Sequence, residues 1–213
     1  MEPVDDLEAY AAATAACTRC RLAEGRTQVV FGAGNPRADL MLVGEAPGFH
    51  EDKQGVPFVG AAGQLLNKLL AGIGMTREDV FVVNTLKCRP PGNRDPQQEE
   101  IEACEPHLWK QIELIQPKVI ATLGNFATKL LSGRPLGITR VHGQEQPTTL
   151  GGREVVLYPL YHPAAALYTP AMLKVLESDF ARIPELLGRA LVPEPELALV
   201  AEPVPPAQQL GLF

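Results

Sequence analysis

The sequence predicts an α/β fold, a single three-layer α/β/α domain around a central four-stranded parallel sheet. Two observations predict it. Four short apolar runs rich in branched residues read as strands buried on both faces, and helical stretches fall between them, as crossovers between parallel strands require. The composition agrees: 213 residues, 46% hydrophobic and 21% charged, supply one core and exclude a wholly disordered or fibrous chain.

Taken in order, the alanine-rich first stretch, up to Ala16, reads as a leading helix that stops at a cysteine pair. The strands are expected at 39–43, 80–83, 118–123 and 155–158, with helices at about 61–73, 97–115, 124–131 and 171–190. For the helix at 97–115 there is a start signal: Asp95 as cap, Pro96 at the first helical position and Gln98 as capping-box partner. From Val192 onward there are five prolines, three glutamates and neither Lys nor Arg. Such a stretch lacks the apolar periodicity to fold alone. The expected division is therefore a folded domain over 1–191 and an acidic, Pro-rich linker and tail over 192–213.

No apolar stretch approaches the roughly 20 residues of a membrane span, and the acidic start Met1-Glu2-Pro3-Val4-Asp5-Asp6 does not resemble a secretion signal. A cytoplasmic, membrane-free protein is expected, and a monomer. The net charge of −6 provides no global positive field, so any nucleic-acid contact must be local.

In open parallel sheets ligands bind beyond the carboxyl ends of the strands. The residues there are Gly44-Glu45-Ala46-Pro47-Gly48, then Asn84, then Gly124-Asn125, then Tyr161-His162-Pro163. Taken singly, each polar residue is a cap or loop residue. Together, a Glu, an Asn and a His converging on one sheet edge assemble a polar pocket for a planar ligand. Cys17-x2-Cys20, Cys88 and Cys104 account for every cysteine and give a four-thiolate site joining the leading helix to the segment after the second strand. Spacing alone leaves zinc and iron–sulfur both open. Lys87, Arg89 and Arg94 cluster around Cys88 and are the candidate phosphate grip, against the plainer reading of a solvated loop.

Gly44-Glu45-Ala46-Pro47-Gly48, the 84–94 segment, His162-Pro163-Ala164-Ala165-Ala166-Leu167 and the cysteine spacing together resemble the family-four uracil-DNA glycosylases, the iron–sulfur type of bacteria and archaea. The resemblance runs from about Cys17 to Leu187. It implies excision of uracil from single- or double-stranded DNA in base-excision repair, leaving an abasic site. It also implies a structural [4Fe-4S] cluster on Cys17, Cys20, Cys88 and Cys104. Asn84 would read the uracil edge, Phe58 would stack on the base, and His162 would donate to O2. Leu167 would fill the vacated stack, and Lys87, Arg89 and Arg94 would contact DNA. Gly44, Glu45 and Ala46 would complete the base site, with Glu45 and His162 catalytic.

In the best-known uracil-DNA glycosylases the first motif reads Gly-Gln-Asp-Pro-Tyr. The water-positioning Asp and thymine-blocking Tyr of that motif give way here to Ala46 and Gly48. The last five residues, Gln209-Leu210-Gly211-Leu212-Phe213, resemble the peptide by which bacterial repair proteins dock on the sliding clamp, through Gln209, Leu210, Leu212 and Phe213. Three rival readings stand beside this one: a glycosylase of broader base range, a non-catalytic metal-stabilised DNA-binding domain, and a small-molecule enzyme using Glu45 and His162 as acid and base.

Overall fold

The structure is a computed structural model and describes residues 3–190. The proposed linker and tail, with Gln209, Leu210, Leu212 and Phe213, lie outside the described residues.

Along the chain run α1 (Pro3–Ala15), α2 (Leu22–Gly25), β1 (Ala33–Gly34), β2 (Leu40–Gly44), α3 (Phe49–Gln54), α4 (Ala61–Gly72) and β3 (Val80–Asn84). A 3₁₀ turn at Pro91–Asn93 leads into α5 (Gln98–Ile115), β4 (Val119–Leu123), α6 (Asn125–Ser132), α7 (Ile138–Val141), β5 (Gln146–Leu150) and β6 (Arg153–Leu160). The helices α8 (Pro163–Ala166), α9 (Pro170–Phe180) and α10 (Ile183–Ala190) complete the described fold.

The sheet order is β1-β3-β2-β4-β6-β5. Its four inner strands are mutually parallel and are the four expected from the apolar runs. The expectation of four strands is corrected to six, because β1 and β5 add antiparallel edges. Neither edge has a buried apolar run: β1 is two residues long, and β5 alternates half-buried and exposed positions around Pro147.

Alternation along the strands divides the core in two. Leu40, Leu42, Val80, Val82, Val119 and Ala121 face α4, α9 and α10 through Leu66, Leu70, Leu176, Phe180 and Ile183. Met41, Val43, Phe81, Val83 and Ile120 face α1, α5 and α6 through Leu7, Leu108, Ile112 and Leu131. The result is the three-layer sandwich expected. No helix among the described residues is long and apolar enough to cross a membrane.

Two helix boundaries differ from expectation. At the start of α5 the cap is Gln97, and Glu100 accepts the Gln97 N–H at 2.9 Å, so Asp95 and Pro96 stand before the helix. The carboxylate that closes the turn also binds Arg94, which gives Glu100 two reasons to point back. The helix expected over 171–190 is two helices, with the break at Ala181 and Arg182 before Pro184 takes an early position in α10.

Candidate active site

From central β2 the chain moves outward to β3 and then returns to β4 on the other side, which makes the carboxyl end of β2 a topological switch point. A cleft of about 460 Å³ opens there. Its walls include Glu45 and Ala46 from the loop after β2, Asn84 from the end of β3, His162 after β6, and Phe58 from the loop before α4. Side chains far apart in sequence thus meet at one sheet edge.

Gly44 leaves no room for a side chain between Phe58 and Asn84. A methyl group there would sit 2.6 Å from Phe58 Cζ and would also collide with Asn84 Oδ1. Asn84 is 2% exposed, and its Oδ1 is buried without a hydrogen-bond partner among the described residues. Such an acceptor costs free energy unless something supplies a donor.

His162 caps α8, and its Nδ1 accepts the N–H of Ala164 at 3.1 Å. Burial pulls the ring's pKa down to about 4, so it is neutral near pH 7 with its proton on Nε2. The ring lies 5.6 Å from Phe58, centroid to centroid, at 29°. Phe58 has a left-handed backbone, φ 54°, which is costly for a side chain of this size. Its loop is over-determined: Arg77 donates to the Phe58 carbonyl at 2.6 Å, and Glu51 Oε1 accepts the N–H groups of Val59 and Gly60 at 2.9 Å each. Glu45 is half-buried, and burial, reinforced by the charge of Asp95, raises its pKa.

Sequence reasoning misplaced Lys87. It is 1% exposed, and its side-chain nitrogen donates to the Asn84 main-chain carbonyl at 2.6 Å, so it braces the end of β3 and is sealed away from any phosphate at the surface. Arg94 lines the cleft but is paired with Glu100 at 2.6 Å. Arg89 remains partly exposed beside it, with its Nε donating to Asn93 Oδ1 at 2.6 Å. Leu167 is half-buried just past α8, and the next residue, Tyr168, is 90% exposed. Asn125 stays out of the cleft, where its Oδ1 accepts the Ile138 N–H at 2.8 Å. Glu51 was not singled out from sequence, because nothing in an exposed-looking acidic helix start signals that its carboxylate turns inward.

Cys17, Cys20, Cys88 and Cys104 line a second, smaller cavity, together with Arg26, Lys87 and His107. The Lys87 N–H points at Cys104 Sγ at 3.3 Å, Arg26 at Cys88 Sγ at 3.5 Å, and His107 Nε2 lies 3.3 Å from Cys17 Sγ. Among the described residues no group of three or more His, Cys, Asp or Glu side chains is arranged to hold a metal ion. The two cavities are joined by packing: Ala46, in the cleft wall, rests on the cluster formed by Leu22, Leu86, Cys88 and Cys104.

Residues 31–183 match the uracil DNA glycosylase superfamily. The chain belongs to this family. It is 47% identical over 188 residues to a type-4 uracil-DNA glycosylase of Sulfurisphaera tokodaii, covering 86% of each chain. The type-4 enzyme of Saccharolobus solfataricus is 46% identical over 190 residues, covering 87% of this chain and 88% of its own. That of Archaeoglobus fulgidus is 45% identical over 193 residues, covering 89% and 96%. These identities, each over most of both chains, make the chain a type-4 uracil-DNA glycosylase.

Proposed function

We propose that this protein removes uracil from DNA by hydrolysing the bond between the base and deoxyribose. One observation carries the reading: an orphaned acceptor on Asn84, a neutral donor on His162, the Phe58 ring and the Glu45 carboxylate share a single cleft.

The enzyme must first take the nucleotide out of the stack, at a cost of a few kcal/mol. Leu167, with Tyr168 beside it, fills the space left behind, and the small side chains of Ala164 and Ala165 allow close approach to the backbone. Phe58 stacks on the extruded base. Asn84 Oδ1 accepts from N3–H and its amide N–H donates to O4, a pattern that cytosine reverses.

The C1′–N1 bond then breaks with its electron pair moving onto the base, and negative charge collects at O2. His162 Nε2–H donates there, so its hydrogen bond strengthens in the transition state. The sugar becomes cationic. Glu45 offsets that charge and accepts a proton as water adds to C1′; the base leaves as its anion and is protonated from solvent, while Glu45 gives its proton back to solvent, so an abasic site and free uracil remain. Arg89 and Arg94 are the proposed phosphate contacts.

The four cysteines suit a [4Fe-4S] cluster. Burial pushes the Cys104 thiol up to about 11 and raises that of Cys88, so these sulfurs ionise only beside a strong positive partner, which a metal supplies. Cys17, Cys20, Cys88 and Cys104 line one cavity and would be the residues to hold the group. Bound there, the cluster supplies a cross-link between the segment after α1 and the walls of the cleft, and takes no part in the bond cleavage.

The test is incubation with a single-uracil oligonucleotide followed by alkaline cleavage of any abasic site. Strand scission at uracil, and none at cytosine or thymine in the same position, is expected. Tight DNA binding with no released base would favour the non-catalytic alternative.

A further inference from the structure

Phe49 and its neighbours form a group at the cleft rim that base recognition does not use. Phe49 is 49% exposed, one of three large apolar side chains so exposed among the described residues. An apolar ring left in water beside a binding cleft needs a reason. Its helix, α3, carries two acids, and both are committed inward. Glu51 holds the Val59 and Gly60 N–H groups, and Asp52, 4% exposed, accepts the Thr27 N–H at 2.9 Å.

With the acids withdrawn, the outward side of the helix carries Phe49 and Lys53, four residues apart and so on one face. Lys53 Nζ is 5.9 Å from the Phe49 ring centroid. A second cation comes from a different segment: Arg89 Cζ is 5.1 Å from the same centroid. The His50 ring meets Phe49 edge-on at 5.5 Å and 84°. Gly48 and His50, on either side of Phe49 in the chain, and Pro90, next to Arg89, all line the base cleft. An exposed ring with two cations over it, in a protein of net charge −6, therefore borders the site where a base is taken up, and a base that stacks on the ring displaces a cation from its face toward a phosphate.

We propose that Phe49 is a stacking platform for the nucleotide adjacent to the extruded uracil, with Arg89 and Lys53 on the phosphates at its two sides. This rests on the reading of the substrate as DNA. Stacked bases flanked by neutralised phosphates are how single strands are held without sequence preference, because every base has a π face. An acidic peptide would use the two cations but not the ring.

The test uses the full chain and a fluorescent single-stranded oligonucleotide without uracil, with binding read by anisotropy. Phe49→Ala is expected to weaken binding about tenfold, Phe49→Trp to restore it, and Phe49→Leu, apolar but not aromatic, to leave the loss in place. Arg89→Gln should reduce the slope of log affinity against log salt by about 0.7, the value for one phosphate on a single strand. Phe49→Ala binding within twofold of wild type, or full rescue by leucine, overturns the platform. Uracil release on a matched oligonucleotide separates the two claims. If wild type binds with this dependence on residue 49 but frees no uracil, the glycosylase reading falls and the platform stands. If Phe49→Ala frees uracil at the wild-type half-saturating concentration, the platform falls and the glycosylase reading stands.

Discussion

The main-chain N–H of Ala164 donates to Nδ1 of His162, and that contact decides which nitrogen faces the cleft with a proton. A neutral imidazole carries one N–H, so with Nδ1 accepting, Nε2 must donate. The motif that follows His162 thus fixes the ring's tautomer, with the proton on the nitrogen that the proposed function assigns to the leaving base.

From this follows an absence of titration near the ordinary histidine range. The folded pKa of about 4 lies below the unfolded value of about 6.5, so the native state binds fewer protons between the two. Both the active form and the stability linked to this ring are fully present above about 6.5 and are lost as pH falls toward 4. The single-turnover rate of uracil release should show no inflection near 6.5. His162→Ala should lower that rate by about 10² to 10³, the cost of one transition-state donor.

Glu45 should account for the acid limb instead. Its pKa is raised by burial and by Asp95, and its working form is the carboxylate, so activity rises with pH through a point above the usual carboxylate range. Removing the negative charge with Asp95→Asn makes the carboxylate easier to form, which moves the limb to lower pH. Glu45→Gln should abolish the limb and most of the rate; near wild-type rates in Glu45→Ala would remove the residue from the mechanism.

Gly44→Ala tests the shape of the base slot. The added methyl meets the tip of the Phe58 ring and Asn84 Oδ1, the two groups proposed to touch the base. Uracil release should fall more than tenfold. The melting temperature should fall by only a few degrees, since overpacking of one methyl costs about 1–3 kcal/mol. Equal loss in folding and function, measured by thermal melts beside the assay, would show a general packing defect instead.

Cys104→Ser should remove a cluster ligand and, through it, loosen recognition. The Lys87 N–H points at Cys104 Sγ while its side-chain nitrogen holds the Asn84 main-chain carbonyl, so one residue links the sulfur site to the end of β3, where the proposed base contact sits. Expected are loss of iron and of absorbance near 400 nm, a lower melting temperature, and a weaker preference for uracil. Iron content equal to wild type would exclude Cys104 as a ligand.

The four inner strands were legible because β2, β3, β4 and β6 have their buried stretches as continuous apolar runs. The edges β1 and β5 were not, because an edge strand needs no such run. Glu45, Asn84 and His162 were picked out by position, at or just past the ends of three strands, and the three line one cleft. Lys87 was misread because charge counts the same in sequence whether a lysine is solvated or sealed; only the fold reveals that it is walled in between Asn84 and the cysteines. Asp95 lost the cap of α5 to Gln97 because Arg94 holds Glu100, two residues past Gln98, in the position that closes the first turn.

The most direct measurement is a structure of the protein with free uracil bound. The account predicts the base in the cleft after β2, stacked on Phe58, with N3 within hydrogen-bond reach of Asn84 Oδ1 and O2 within reach of His162 Nε2. Uracil bound elsewhere, or in the cleft with its O2 turned away from His162, would contradict it.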